Sequence, residues 1–296
     1  MKRYLLGVVF CLILAFSVAS CAPADAARGT SHEARVTDHE PRASTTLAVL
    51  GAFHQEVGLL KEMLADATAH EIEGIEFVAG RIGTMPVVIG WTGVGKANAA
   101  MTTTLLLEHF RPARVIFTGI AGGVDPNLEP GDIVIARRTA YHDMGTLWPG
   151  GIEYGGVKSR LTHEPNPVFF PADPVLLTAA QGAARHVALN PISLVTGERP
   201  PRIVTGTVVT GDVFVASKEK CDHLAETLGA DAVEMEGAAV AQICYQRDLG
   251  CLVIRSISDK ADESAVTDKQ IFYTMAAENS VRLVAEIVKS LAQGKE

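Results

Sequence analysis

The sequence predicts a single α/β domain over residues 46–294, with a mostly parallel, mixed and twisted sheet flanked by helices on both faces. Two observations carry this. From Thr46 onward, short apolar runs alternate with stretches of helical period. The runs are apolar on consecutive residues, as strands covered on both faces must be. At 296 residues and 48% hydrophobic content, the chain also has ample side chains for a large core.

Taken in order, "TLAVLGA" (46–52) reads as a buried strand. "HQEVGLLKEMLADA" (54–67) has helical spacing at Val57, Leu60, Met63 and Leu64. "MPVVIGW" (85–91) is a strand, and "GKANAAMTTTLLLEHF" (95–110) a helix. "ARVIFTGIAGG" (113–123) is a strand ending in a glycine turn, and "GDIVIARRTAYHD" (131–143) a strand with a polar end. A helix follows over "ADPVLLTAAQGAARHV" (172–187), then a strand-like run over "RIVTGTVVTGDVFV" (202–215). "MEGAAVAQICYQRDL" (235–249) is an amphipathic helix, "GCLVIRSISD" (250–259) a strand, and residues 268–294 the closing helix. No internal repeat is visible.

The residues before this domain read differently. Residues 1–21 have a basic start (Lys2, Arg3), an apolar stretch and a small-residue end, the pattern of an export signal. The apolar stretch is short for a membrane-spanning helix, which needs roughly 20 residues. The ending "VASC" resembles a lipobox, which implies a lipid on Cys21, cleavage before it and an exported, envelope-anchored protein. An ordinary cleaved signal, processed near Ala24–Ala26, and an uncleaved anchor are the alternatives. Residues 22–45 are polar and aperiodic and read as a flexible linker.

The net charge of −8 gives no reason to expect nucleic acid or an anionic membrane surface as partner. Cys221, Cys244 and Cys251 fall in the domain at no zinc-site spacing, and Cys244 and Cys251 sit in apolar runs, as buried free thiols do. An oxidising compartment leaves one disulfide among the three open. No metal and no cofactor is expected.

In sheets of this kind ligands bind beyond the carboxyl ends of the strands. Those ends supply the carboxylates Glu56, Asp212, Glu234, Glu236 and Asp259, an aromatic ring at Phe214 and an apolar side chain at Met235. Carboxylates beside an aromatic plate suit cleavage of a glycosidic bond. One acid protonates the leaving group, another carboxylate activates water, and a third holds ribose hydroxyls. "GWTGVGKA" (90–97) is one residue short of a phosphate-binding P-loop, but Ala97 lacks the hydroxyl that would ligate magnesium.

"VEMEGAAVAQICYQRDLGCLVIRSISDKAD" (233–262) resembles the signature region of the 5'-methylthioadenosine/S-adenosylhomocysteine nucleosidases, of the purine nucleoside phosphorylase/uridine phosphorylase superfamily. "GAFHQEVGLL", "TGVGKANAA", "TGIAGG", "GDIVIA" and "TGDVFV" follow in that family's order, so the resemblance spans about residues 46–293. It implies a nucleoside phosphorylase-like fold and a purine nucleoside as substrate, with a homodimer as the working form. Glu56 is then the carboxylate that activates water, and Asp259 the acid at purine N7. Glu236 binds the ribose hydroxyls, flanked by Met235, with Glu234 in support. Phe214 stacks on the base and Val215 reads its edge through the backbone. Ile120, Ala121 and Gly122 line the pocket, while Arg255 and Ser258 hold Asp259. An aspartate at 259 also implies a 6-amino purine.

Three stretches depart from the pattern. Ile120 stands where the family carries serine or threonine. Residues 144–171, including Trp148, differ where the family forms the pocket for the 5' substituent. The loop 190–204 is long, as a lid would be. "YHD" (141–143) is read as a structural pair or part of the pocket wall. Two other functions are kept beside the hydrolase. One is a phosphorylase, with Arg137 and Arg138 as candidate phosphate ligands. The other is a nucleoside-binding lipoprotein without catalysis.

Overall fold

The computed structural model describes residues 44–194 and 197–294. The export signal, Cys21 and nearly all of the expected linker lie outside the described residues. Three segments open the domain: β1 (Leu47–Gly51), α1 (Gln55–Glu62) and the meander β2 (Ala65–Ile72), β3 (Ile75–Ile82) and β4 (Met85–Trp91). Next come α2 (Lys96–Phe110), β5 (Arg114–Gly123) and β6 (Ile133–Tyr141). A hairpin of β7 (Gly145–Trp148) and β8 (Gly151–Tyr154), the short β9 (Phe169–Pro171) and α3 (Pro174–Ala183) follow. A second hairpin, β10 (Ile192–Leu194) and β11 (Gly197–Arg199), precedes β12 (Ile203–Thr210) and α4 (Lys218–Leu228). The chain closes with β13 (Ala232–Glu234), α5 (Gly237–Gln246), β14 (Gly250–Asp259) and α6 (Ala265–Gln293).

The main sheet runs β13-β12-β6-β14-β5-β1-β4-β3-β2, with β9 on β6. β1 pairs in parallel with β4 and β5, and β5 with β14. β6 runs antiparallel to β14 and parallel to β12, so the sheet is mixed. β13 also bonds back to β5, through Ala232↔Gly123 and Val233↔Gly122, closing β5, β14, β6, β12 and β13 into a ring.

The strand period distributes the core. In β1, Leu47 and Val49 point to one apolar cluster, Ala48 and Leu50 to the other. In β14, Cys251 and Val253 share the second cluster with α2 and α5 side chains, while Leu252 and Ile254 face α1, α3 and α6. Consecutive apolar residues are therefore all buried, on opposite faces. Cys221, Cys244 and Cys251 are free and buried.

Several boundaries differ from the sequence reading. The helix expected over 54–67 stops at Glu62, and its tail becomes β2. All but the last residue of β2 are exposed, so no alternation of apolar and polar residues marks it. The strand-like run 202–215 ends at Thr210, freeing 211–217 as a loop. Helix α4, capped by the Ser217 side chain, has no counterpart in the sequence reading.

Candidate active site

A cleft enclosing about 590 Å³ of space not filled by protein atoms opens at the ends of β1, β5, β13 and β14. Its wall includes Glu56, Ile120, Ala121 and Gly122. Phe214, Val215, Glu234, Met235 and Glu236 lie across from them or beside them, with Ser258 and Asp259. Of the residues to which the resemblance gives a role, Arg255 alone is not in the wall; it lies fully buried behind it.

Glu56 is 1% exposed, in the first turn of α1. Its Oε2 accepts the backbone N–H groups of Ala52 (2.6 Å) and Phe53 (2.9 Å), and Oε1 accepts that of Ile120 (3.1 Å). Burial raises its pKa, and the Arg255 charge and the three N–H donors oppose that rise without reversing it. Those donors favour the carboxylate form. Oε1 takes a single bond from the protein and keeps a lone pair for a water.

Asp259 ends β14 and is 2% exposed. Oδ2 accepts from Ser258 Oγ at 2.7 Å and Oδ1 from the Ala261 N–H at 2.9 Å. Burial pushes its pKa up, and the two hydrogen bonds and Lys269 oppose that. Ser258 Oγ also lies 3.3 Å from the Ala121 carbonyl, so the hydroxyl has a second acceptor to turn to.

Glu234 and Glu236 flank the start of α5. Glu234 accepts the N–H groups of Glu236 (3.1 Å) and Gly237 (2.7 Å), an anion at a helix N-terminus, and the Thr210 hydroxyl. Arg255 pairs with Glu234 and lies 3.8 Å from Glu236 Oε2, its guanidinium 4.2 Å from the Phe117 ring centroid. Burial and the nearby Glu234 charge raise the Glu236 pKa.

Arg255 therefore serves Glu234, Glu236 and Glu56, and makes no bond to Asp259, which corrects the expectation that it holds that aspartate. Four residues along an extended strand span ~13 Å, beyond side-chain contact. Ser258, the adjacent residue, does bond Asp259.

The P-loop-like segment is also explained. Gly93 and Gly95 adopt positive φ (77° and 92°), which a glycine tolerates. The N–H of Gly95 donates to Glu236 Oε1 and that of Lys96 to Asp212 Oδ1, both at 2.8 Å. Lys96 Nζ binds Asp143 at 2.7 Å. The chain's own carboxylates occupy the positions a phosphate would take. This pairing also removes "YHD" from the pocket wall: Asp143 is the partner of Lys96, and neither His142 nor Asp143 lines the cleft.

Among the described residues, none of 144–171 or 190–204 lines the cleft. Trp148, on the exposed β7–β8 hairpin, bonds Glu153 at 2.9 Å. The segment 190–204 is the β10–β11 hairpin and its flanks, where Arg199 pairs with Asp132 at 2.8 Å. None of its described residues lines the cleft.

A family model described as the phosphorylase superfamily matches residues 46–289. A 5'-methylthioadenosine/S-adenosylhomocysteine nucleosidase from Psychromonas ingrahamii is 37% identical, over 83% of this chain and 99% of that protein. The chain belongs to this family of nucleosidases. The solved nucleosidase of Neisseria meningitidis, in complex with methylthio-immucillin-A, superposes with a TM-score of 0.73 at 36% identity, over 83% of this chain and 99% of that one. That of Colwellia psychrerythraea, in complex with adenine, gives 0.73 at 34%, over 84% and 96%.

Among the residues of this nucleosidase site that the sequence reading leaves without a role are Lys269 and Gly119. Lys269, on α6, lines the cleft ten residues after Asp259, with no local motif to mark it. Gly119 lies beneath the wall. A Cβ there would sit 2.2 Å from Arg255 Nη1 and 2.7 Å from Glu56 Oε1. The "TGIAGG" run held the signal, since a glycine inside a strand often marks a close approach. Gly119→Ala is expected to lower kcat/KM about a hundredfold by displacing Glu56. Steady-state kinetics check this, and full activity would show that Glu56 tolerates the shift.

Proposed function

We propose that the protein hydrolyses the N-glycosidic bond of an adenosine of the 5'-methylthioadenosine or S-adenosylhomocysteine kind, releasing adenine and the ribose. The observation that carries this is a pair of buried carboxyls in one cleft with unlike partners. Glu56 has three backbone donors that favour its ionised form. Asp259 has one backbone donor and a hydroxyl that can turn away. This difference in partners supports Glu56 as the base and Asp259 as the acid.

In the proposed reaction the C1'–N9 bond breaks and its electron pair passes to the purine. Protonated Asp259 gives its proton to N7, which makes the purine a better leaving group. The ribose carries the positive charge, close to the Glu56 and Glu236 carboxylates. Glu56 takes a proton from water as the water oxygen bonds C1'. Glu236 accepts from the ribose hydroxyls, Met235 packs on the sugar, Phe214 stacks on the base and the Val215 backbone meets its edge.

The phosphorylase reading is disfavoured by charge. Among the described residues lining the cleft, Lys269 is the one cation, and four carboxylates accompany it. Arg138 stacks on the Phe169 ring at 3.9 Å, and neither it nor Arg137 lines the cleft. A phosphate dianion at C1' would meet Glu56.

A homodimer and export with a lipid on Cys21 belong to the same proposal. The first is supported by the exposed Leu147 and Trp148 of the β7–β8 hairpin, the second by the "VASC" sequence. The deciding experiment follows adenine release by residues 22–296 from methylthioadenosine, with and without phosphate. Release without phosphate is expected. Release only with phosphate would establish a phosphorylase, and adenosine binding without release would establish a binding protein.

A further inference from the structure

The cleft holds a cation that the hydrolytic steps do not use. Lys269 is half-buried in the second turn of α6. Its Nζ lies 5.7 Å from the Phe53 ring centroid and 5.2 Å from that of Phe214. Among the described residues it forms no ion pair. The neighbouring Lys260, by contrast, binds Glu129 at 2.6 Å. The carboxylates around Lys269 have other partners: Glu56 the three backbone groups, Glu236 the Gly95 N–H, Asp259 Ser258 and Ala261, and Asp268 the Ser264 hydroxyl. A half-desolvated ammonium over two rings gains some cation–π attraction, but no carboxylate of the described residues pairs with it.

The proposed substrate has one end still to place. On the hydrolase reading, on which this inference rests, C1' faces Glu56, the base meets Asp259 and Glu236 takes the C2' and C3' hydroxyls. The 5' substituent is the one part left over. Phe214 is 41% exposed and marks the open side of the cleft. With Phe214 under the base, a 5' chain leaving on the Phe53 side passes beside the Lys269 ammonium.

We infer that Lys269 is a specificity-determining residue that pairs with an anion, a carboxylate or a phosphate, carried on the 5' substituent of the substrate. A neutral methylthio group leaves the ammonium unpaired; an anion gives it a charge-assisted hydrogen bond. The pairing also helps the chemistry. The Lys269 charge draws the Asp259 pKa down, against burial. An anion beside Lys269 offsets that pull and favours the protonated acid.

The test compares kcat/KM for neutral methylthioadenosine, zwitterionic S-adenosylhomocysteine, anionic 5'-(carboxyethylthio)adenosine and adenosine 5'-monophosphate. Each is measured on the wild-type protein, Lys269→Met and Lys269→Arg. The ratio of an anionic substrate to methylthioadenosine is expected to fall about tenfold in Lys269→Met and to be largely kept in Lys269→Arg. Whether the carboxylate or the phosphate shows the dependence names the anion. Equal losses on charged and neutral substrates, or no change in any ratio, overturn the inference. So does base release that needs inorganic phosphate and Lys269 together, because the lysine would then serve a co-substrate. If no substrate is turned over, the hydrolase reading fails on its own. Calorimetric binding of the same compounds to Asp259→Asn, with and without Lys269→Met, then decides the anion preference separately.

Discussion

Adenine release is expected to fall by about a thousandfold in Asp259→Asn, with nucleoside binding retained. Asparagine keeps the shape of the side chain. Its Oδ1 still accepts the Ala261 N–H. Its Nδ2 can donate to Ser258 Oγ, since that hydroxyl has the Ala121 carbonyl, 3.3 Å away, as an alternative acceptor. What is lost is the proton for N7. The variant also has a stability signature. Burial raises the folded-state pKa of Asp259 above its unfolded value near 3.8. The folded protein then binds more protons than the unfolded one between those two values, so the wild type loses stability as pH rises through that window. The asparagine variant lacks that loss. Thermal melts above the window should find it at least as stable as the wild type, and single-turnover assays should find it nearly inert. Retained turnover would remove Asp259 from the chemistry.

Glu56→Gln is expected to cost a comparable factor in turnover, within the roughly 10²–10⁴ range of a lost general base, but to lower stability, because a lost backbone acceptor outweighs the relief of removing a buried charge whose pKa burial raises. Both Glu56 oxygens accept backbone N–H groups, Oε1 from Ile120 and Oε2 from Ala52 and Phe53. A glutamine must turn its NH₂ toward one of those donors. A buried N–H group left without an acceptor costs about 1–3 kcal/mol. The variant should therefore melt lower than the wild type at neutral pH while still binding adenosine. The two roles also predict a bell-shaped kcat/KM profile: activity falls at low pH as Glu56 protonates and at high pH as Asp259 ionises. The residual activity of Glu56→Gln should lack the acid limb. A profile that keeps that limb would place the base elsewhere.

Much of this site is legible in the sequence because its residues follow strands. Glu56, Asp259 and Glu236 each lie just beyond an apolar run, and the rule that ligands bind at strand ends is enough to bring them together. The strands themselves are readable where both faces are covered, as in 250–259. β2 is not, because its exposed face pattern carries no apolar signal. Arg255 goes to the wrong carboxylate for a geometric reason: proximity in sequence along a strand is not proximity of side chains. Lys269 is invisible in the sequence because it reaches the cleft from a separate helix, and only the path of α6 brings it over Phe53 and Phe214.

The ring closed by β13 on β5 bears on how the molecule comes apart. Each strand of that ring is bonded on two sides, and the strands that end at Asp259, Glu234 and Gly123 all belong to it. The path ends instead at β2, whose backbone is bonded on one side and whose side chains are almost all exposed. Fraying starts where a strand has least to lose, so the meander β2–β3 is the part that opens first. A molecule with that meander unzipped keeps the strands that carry Asp259 and Glu234 bonded in the ring. Damage at the free edge and loss of catalysis are thereby separate events, and the edge strand, with its backbone open to a second chain, becomes the place where association would begin while the enzyme still works.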